Sequence, residues 1–260
     1  MIDTLKFEML TNHIGQLTLN QPSRRNALNA AMWANLPNLL NELSNLKDLR
    51  VLIVTGEGQH FSSGADISEF ATLYATKESA NKISASIANA LQALASFPIP
   101  TIAVIRGACV GGGCGLALCC DIRFADSTSK FAITPAKLGL AYPYADVQRL
   151  IETVGLPNAK DILLSALPLP AKPARKMGLI NHLCKVDNLA EKALDYAQNI
   201  ATLSPASLKV TKQMFAAHQA GQYGESKETR EWFFKGFTSE DFKEGYCAFL
   251  EKRKPSFEKG

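Results

Sequence analysis

The stretch I-P-T-I-A-V-I-R-G-A-C-V-G-G-G-C-G-L-A-L-C-C-D (99–121) organises the chain. Thr101 to Ile105 is a short apolar run closed in by Pro98, Pro100 and Gly107, the pattern of a buried strand. Cys114 to Cys120 is apolar on every side, which suits a buried helix and is too short to span a membrane. Between them stand Gly111, Gly112 and Gly113. Glycines at a strand-to-helix junction let another molecule approach the backbone closely. The first helical turn also leaves amide N–H groups without partners. The same triplet serves a plain tight turn that packs helix on sheet, so taken alone it leaves both readings open.

Toward the N-terminus a second junction of this kind appears in H-F-S-S-G-A-D-I-S-E-F (60–70). Asp66 followed by Glu69 resembles a capping box, and Gly64 sits just ahead of it. Strand, glycine turn and helix therefore occur twice, a weak internal repeat in which the pattern recurs and the residues do not. Before it, Leu5 to Leu10 and Gly15 to Leu19 read as a hairpin, and Gln21 to Asn26 as a polar loop with two adjacent cations. A helix is expected from about Asn29 to Leu46 with a kink or break at Pro37. Val51 to Val54 reads as a buried strand, and Lys77 to Phe97 as an amphipathic helix with Ile83, Ile87, Leu91 and Leu94 on one face.

Toward the C-terminus a third unit is expected in Ile122 to Ala125, Lys130 to Ile133 and a helix over Asp146 to Val154. Beyond about Asp195 the pattern turns to helices only. That divides the chain into a core over 1–195 and a helical region over 196–260. Ser204-Pro205 reads as an N-cap with proline at the first helical position, and Gly221 as its stop. Further helices are expected over Glu225 to Lys235, and from a Ser239 cap to Lys252.

The 260 residues are 47% hydrophobic and 20% charged, enough for a large core. The 28 basic and 24 acidic residues leave a net charge of +4, too balanced to imply a nucleic-acid partner. No uninterrupted apolar run reaches about 18 residues and the N-terminus lacks a signal-like core, so a soluble, cytoplasmic protein without a membrane partner is expected. The six cysteines show no C-x-x-C pair and four crowd into the glycine segment, which reads as buried reduced thiols. The four histidines are scattered, so no metal site is expected.

Four segments carry a resemblance: L-N-Q-P-S-R-R-N-A-L-N (19–29), F-S-S-G-A-D-I (61–67), G-G-G-C-G-L-A-L-C-C-D (111–121) and E-G-Y-C-A-F-L-E-K-R-K-P (244–255). In that order, over nearly the whole chain, they resemble the crotonase superfamily of enoyl-CoA hydratases and isomerases. The resemblance implies an α/β fold built as a spiral of β-β-α turns with a C-terminal helical trimerisation region, assembled as a homotrimer or hexamer. It implies an acyl-CoA thioester as substrate, with coenzyme A as part of that substrate and no separate cofactor. Two backbone amides, placed on Ala65 and Gly112, would hold the thioester oxygen. Ser63 and Ile67 would line the adenine pocket, Arg24, Arg25 and Asn26 would run beside the nucleotide, and Phe233 and Lys252 would reach CoA from the C-terminal region. For Arg24, Arg25 and Lys252 the alternative is an ordinary solvated charge.

Two positions depart from the family pattern. The two glutamates that hold and activate water in a hydratase would fall on Gly115 and Pro135, and neither residue can act as acid or base. Glutamate-driven hydration is therefore expected to be slow or absent. The segment T-P-A-K-L-G-L-A-Y (134–142) resembles methylmalonyl-CoA decarboxylase and places Tyr142 at that enzyme's active-site tyrosine. Ala65 and Gly115 differ from that enzyme, which has histidine and glutamate there. Three classes of function stay open: an acyl-CoA lyase or isomerase of altered chemistry, a non-catalytic acyl-CoA binder, and a thioester hydrolase engaging Cys114 or Tyr142. Asp146 reads as a helix N-cap or as a general base.

Overall fold

The computed structural model describes residues 3–257. The hairpin is formed by β1 (Leu5–Met9) and β2 (Ile14–Leu19), and α1 (Ala30–Ser44) and β3 (Val51–Gly56) follow. Pro37 lies inside α1, which continues through it. The face of Met32, Trp33, Leu36, Leu39, Leu40 and Leu43 is buried as one stripe, and that packing outweighs the single hydrogen bond proline removes. The chain then forms α2 (Phe70–Leu73), α3 (Lys77–Ala95), β4 (Thr101–Ile105), β5 (Ala108–Val110) and α4 (Gly112–Cys119). Next come β6 (Ile122–Asp126), β7 (Lys130–Ala132), α5 (Tyr144–Ser165), β8 (Leu169–Pro170), α6 (Ala171–Lys176), β9 (His182–Cys184) and α7 (Leu189–Ala201). The last elements are α8 (Pro205–Gln219), α9 (Lys227–Gly236) and α10 (Glu240–Leu250).

The large sheet runs β1-β2-β3-β4-β6-β9, parallel throughout except for the β1–β2 hairpin. Its strands alternate between two cores. Leu52, Val54, Ala103 and Ile105 face the α1 and α3 side, while Val51, Ile53, Ile102 and Val104 face α7. Continuous apolar strands are what a sheet covered on both faces requires.

A second ladder stands beside the first. Leu28 bridges Ala65, Ser62 bridges Cys109, β5 pairs with β7, and β7 with β8. Chain segments following β2, β3, β4 and β6 thus each contribute a short extended piece to it, one spiral turn after another. This parallel stacking brings the two glycine turns together.

Several expectations are corrected. Asp66 caps its own 3-10 turn by accepting from Ser68 N (3.1 Å), but Glu69 accepts from Ala30 N (2.8 Å), so there is no capping box. A boundary at 195 would cut α7, whose Leu189, Ala193, Ala197 and Ala201 pack on the sheet; the purely helical part begins after it. Asp146 is not an N-cap: Pro143 holds that position and α5 starts at Tyr144, bending at Gly155 (φ 75°). Ser204 and Ser239 do cap α8 and α10, by accepting from Ser207 N and Phe242 N.

Candidate active site

Around Ala65 the bridge to Leu28 uses the neighbours: Leu28 N donates to Gly64 O (2.7 Å) and Asp66 N to Leu28 O (3.0 Å). A parallel bridge built this way turns the N–H of Ala65 to the opposite side, where no described residue accepts it. On the other turn Val110 N donates to Ser62 O (2.9 Å) and Gly111 N to Ala132 O (2.8 Å). The next amide, Gly112, is the first residue of α4, and its N–H has no acceptor among the described residues. Gly64 adopts φ 94°, and a Cβ placed on it would lie 2.8 Å from Val110 O and 3.4 Å from Gly112 N. The turn carrying Ala65 therefore lies directly against the turn carrying Gly112, at a helix N-terminus whose dipole favours negative charge.

Ser62, fully buried, joins the pieces: its hydroxyl donates to Asn26 O (2.8 Å) and accepts from Gly64 N (3.1 Å). A Cβ on Gly113 would meet Ser62 Cβ at 2.8 Å, so α4 can sit this close only with glycine there. Asn26 is also fully buried, at φ 54°. It accepts from Gln21 N (2.9 Å) and donates to Glu57 O (2.9 Å) and His60 O (2.6 Å). In place of a contact along a nucleotide, Asn26 thus holds the loops from within.

Arg24 is exposed and pairs with Asp66 (2.5 Å) and Ser68 (3.1 Å). The Ser68 hydroxyl, followed by Arg24, holds the Asp66 carboxyl below its ordinary range against the opposing effect of burial. Ser63 donates from its hydroxyl to Arg24 O (3.1 Å) and from its amide to Arg25 O (2.9 Å), and Ile67 is exposed beside it. Arg24, Arg25, Ser63 and Ile67 accordingly share one rim next to Ala65. Phe233 and Lys252 stand apart from it: both are exposed, and no hydrogen bond or aromatic contact of the described residues ties either to the rim.

Gly115 lies one turn into α4. A Cβ there would meet Leu91 Cδ1 at 3.5 Å and the Tyr142 hydroxyl at 3.6 Å. Tyr142 donates weakly to Gly111 O (3.4 Å), so its hydroxyl stands on the face of α4 just behind the Gly112 amide. Burial, then the Cys114 thiol and the Asp146 carboxylate, push its pKa well above the usual tyrosine value. Asp146, buried in the first turn of α5, pairs with Arg149 (2.9 Å), which also reaches Gln92 (3.0 Å). Burial raises its carboxyl against the restraining Arg149 charge. Pro135, half-buried, opens a 3-10 turn whose other residues are exposed, and it brings no ionisable group. Cys114 is buried with its thiol donating to Cys109 O (2.8 Å), and Cys119 is pushed up to about 12 by burial, so neither is an available nucleophile. Ser62 escaped sequence reasoning, since one serine of F-S-S-G looks like the other.

The model of the enoyl-CoA hydratase/isomerase family matches residues 10–260. The crystal structure of an enoyl-CoA hydratase/isomerase family protein from Hyphomonas neptunium is 41% identical and superposes with a TM-score of 0.95, covering 98% of this chain and 97% of that one. An enoyl-CoA hydratase/carnithine racemase from Magnetospirillum magneticum follows at 32% identity and TM-score 0.94, covering 99% and 96%. The 2,3-dehydroadipyl-CoA hydratase of Escherichia coli is 35% identical over 243 residues, 93% of each chain.

Proposed function

The chain belongs to the enoyl-CoA hydratase/isomerase family, and on that premise we propose that it processes acyl-CoA thioesters without glutamate-driven hydration. The observation that carries this reading is the pair of N–H groups on Ala65 and Gly112, set side by side at a helix entrance with no acceptor among the described residues. Two such donors stabilise the oxyanion that forms when a thioester becomes an enolate, and losing one costs about 3 kcal/mol of transition-state stabilisation. Arg24, Arg25, Ser63 and Ile67 form the rim suited to the nucleotide half. Phe233 and Lys252 join only if a second copy brings its C-terminal helices to that rim, as a trimer or hexamer would.

Calorimetry should show an acyl-CoA binding far better than the free acid; equal or absent binding of both overturns the reading. Gly112→Pro removes one donor outright and should abolish turnover.

Decarboxylation of a malonyl-type thioester is favoured as the reaction by the place of Tyr142 behind the Gly112 amide. In that step the bond to the carboxylate breaks, CO₂ leaves, and the electron pair passes into the enolate held by the two amides. The α-carbon then takes a proton, which a protonated phenol can donate and water can replace. A tyrosine pushed above its ordinary pKa is a donor, never a base, at neutral pH. Tyr142→Phe should keep thioester affinity and lower turnover about tenfold or more, the pattern of a contact made in the transition state. If wild type and Tyr142→Phe treat malonyl-CoA alike, the tyrosine is packing and the reaction lies elsewhere. A non-catalytic binder would pass the calorimetric test and turn over none of the enoyl-, malonyl- or saturated acyl-CoAs.

A further inference from the structure

His60, half-buried, stands at the root of both amide-bearing turns: its own segment runs on to Ala65, and the backbone its ring meets runs on through Cys109 and Val110 to Gly112. Beyond it the two segments form a parallel bridge, in which Ser62 N donates to Ala108 O (3.0 Å) and Val110 N to Ser62 O (2.9 Å). By the alternation of such a ladder, the rung before these would join Ala108 N to the carbonyl of His60. That carbonyl accepts instead from Asn26 Nδ2 (2.6 Å), and the ring takes its place: Ala108 N donates to His60 Nδ1 (3.2 Å). A Cβ on Gly107 (φ 54°) would collide with Nδ1 and lie 3.2 Å from Cε1, so glycine lets the backbone close onto this edge of the ring. Nδ1 accepts only while it carries no proton, so the bond requires the neutral ring with its hydrogen on Nε2. Of the charged residues on the segments that meet His60, Arg24 pairs with Asp66. Arg25, Glu57, Arg106 and Lys130 form no ion pair among the described residues, and the only partner of the ring among them is Ala108.

We infer that His60 is a positioning residue for the thioester site and acts only when neutral, holding the two amide donors together at neutral pH and releasing them in acid. The inference rests on the reading of Ala65 and Gly112 as that site. A proton on Nδ1 turns the acceptor into a donor that faces the Ala108 N–H. The rung is lost, and a half-buried amide is left without a partner. The turns above it meet at contact distance, since a Cβ on Gly64 would lie 3.4 Å from Gly112 N. Loosening their root changes the spacing on which joint donation to one oxygen depends. Histidine is the side chain that changes charge between about pH 5 and 8. The sign follows: affinity is full at neutral pH and falls with acid.

The test is calorimetry of butyryl-CoA on wild type, His60→Asn and His60→Leu at about pH 7.5 and about pH 5.5. Wild type should bind about tenfold more weakly in acid. Asparagine offers a carbonyl oxygen where Nδ1 stood and takes up no proton there, so His60→Asn should lose that difference. Leucine offers no acceptor, so His60→Leu should bind at the higher pH as weakly as wild type does at the lower. A wild-type affinity indifferent to pH overturns the inference, as does a His60→Asn protein with the wild-type profile. Should a variant not fold, hydrogen exchange of the Ala108 amide in wild type carries the same decision. Its protection should fall about tenfold between the two pH values while the amides of β3 keep theirs, and unchanged protection at Ala108 overturns the inference. If butyryl-CoA binds wild type at neither pH, the reading of the two amides falls, and exchange at Ala108 still decides for or against His60. If it binds alike at both, only His60 loses its role.

Discussion

At position 115 a Cβ would sit against Leu91 and beside the Tyr142 hydroxyl without crowding either, so packing alone does not demand glycine there. Glycine costs a helix about 0.5–1 kcal/mol relative to alanine, and a Cβ here would make only ordinary contacts, at 3.5 and 3.6 Å. Gly115→Ala should therefore raise stability by about that amount in urea denaturation, whereas Gly115→Glu must push Tyr142 aside and should cost both stability and turnover. The two aspartates near the site respond to acid in opposite senses. Asp66, held below its ordinary 3.8 chiefly by Ser68 and then Arg24, stabilises the fold above that value and loses the contribution as pH falls through the lower folded value. The stability gap between wild type and Asp66→Asn should be full near about pH 6 and close on acidification below 3.8. Asp146, raised by burial, makes charging costly as pH rises through its own higher value.

Elements place these residues, and the loop between β2 and α1 does so with one buried amide. Asn26 ties Gln21, Glu57 and His60 together, and Ser62 carries the tie on to Gly64. Asn26→Ala should lower stability by about 2 kcal/mol or more, since it strands buried backbone groups, and should weaken thioester binding in the same protein; unchanged binding in a folded variant would make the loop's role purely structural. The long elements were legible in the chain: β4 from its short apolar run after Pro98 and Pro100 and before Gly107, α3 from its 3.6-residue stripe, α8 from Ser204-Pro205. The crossing pieces were not. Leu28, Ser62 and β5 contribute one to three residues each to the second ladder, too few for a period to register. Asp146 misled because a lone acid after Pro143 looks like a cap, while its burial beside Arg149 depends on α3 and α4 packing over it. The two amide-bearing turns were readable as motifs, but their meeting comes from the spiral, which no local pattern encodes.

On the scale of the whole molecule, the helices after α7 do two different things. Lys212 on α8 pairs with Asp121 (2.5 Å) and donates to Ile99 O (3.3 Å), while Asp121 accepts from the Thr101 amide and hydroxyl, so α8 is fastened beside the start of β4. On α9 and α10, by contrast, Phe233, Phe234, Phe237, Phe242, Tyr246 and Phe249 are each at least half exposed. Their rings touch one another from Phe233 through Phe237 and Phe242 to Tyr246 instead of entering the core. A run of large apolar side chains this long is costly to leave in water and marks an interaction surface. A second and third copy of the chain would cover it, and would also carry Phe233 and Lys252 to a neighbour's rim. Sedimentation at micromolar concentration should accordingly give a trimer or hexamer. The double variant Phe234→Ser, Phe237→Ser should shift the mass toward a single chain and weaken CoA binding together, although neither substitution touches the Ala65 and Gly112 turns. A protein that sediments as one chain with those rings exposed, or a dissociated variant that binds acyl-CoA as tightly as wild type, would mean that each chain builds its whole site alone.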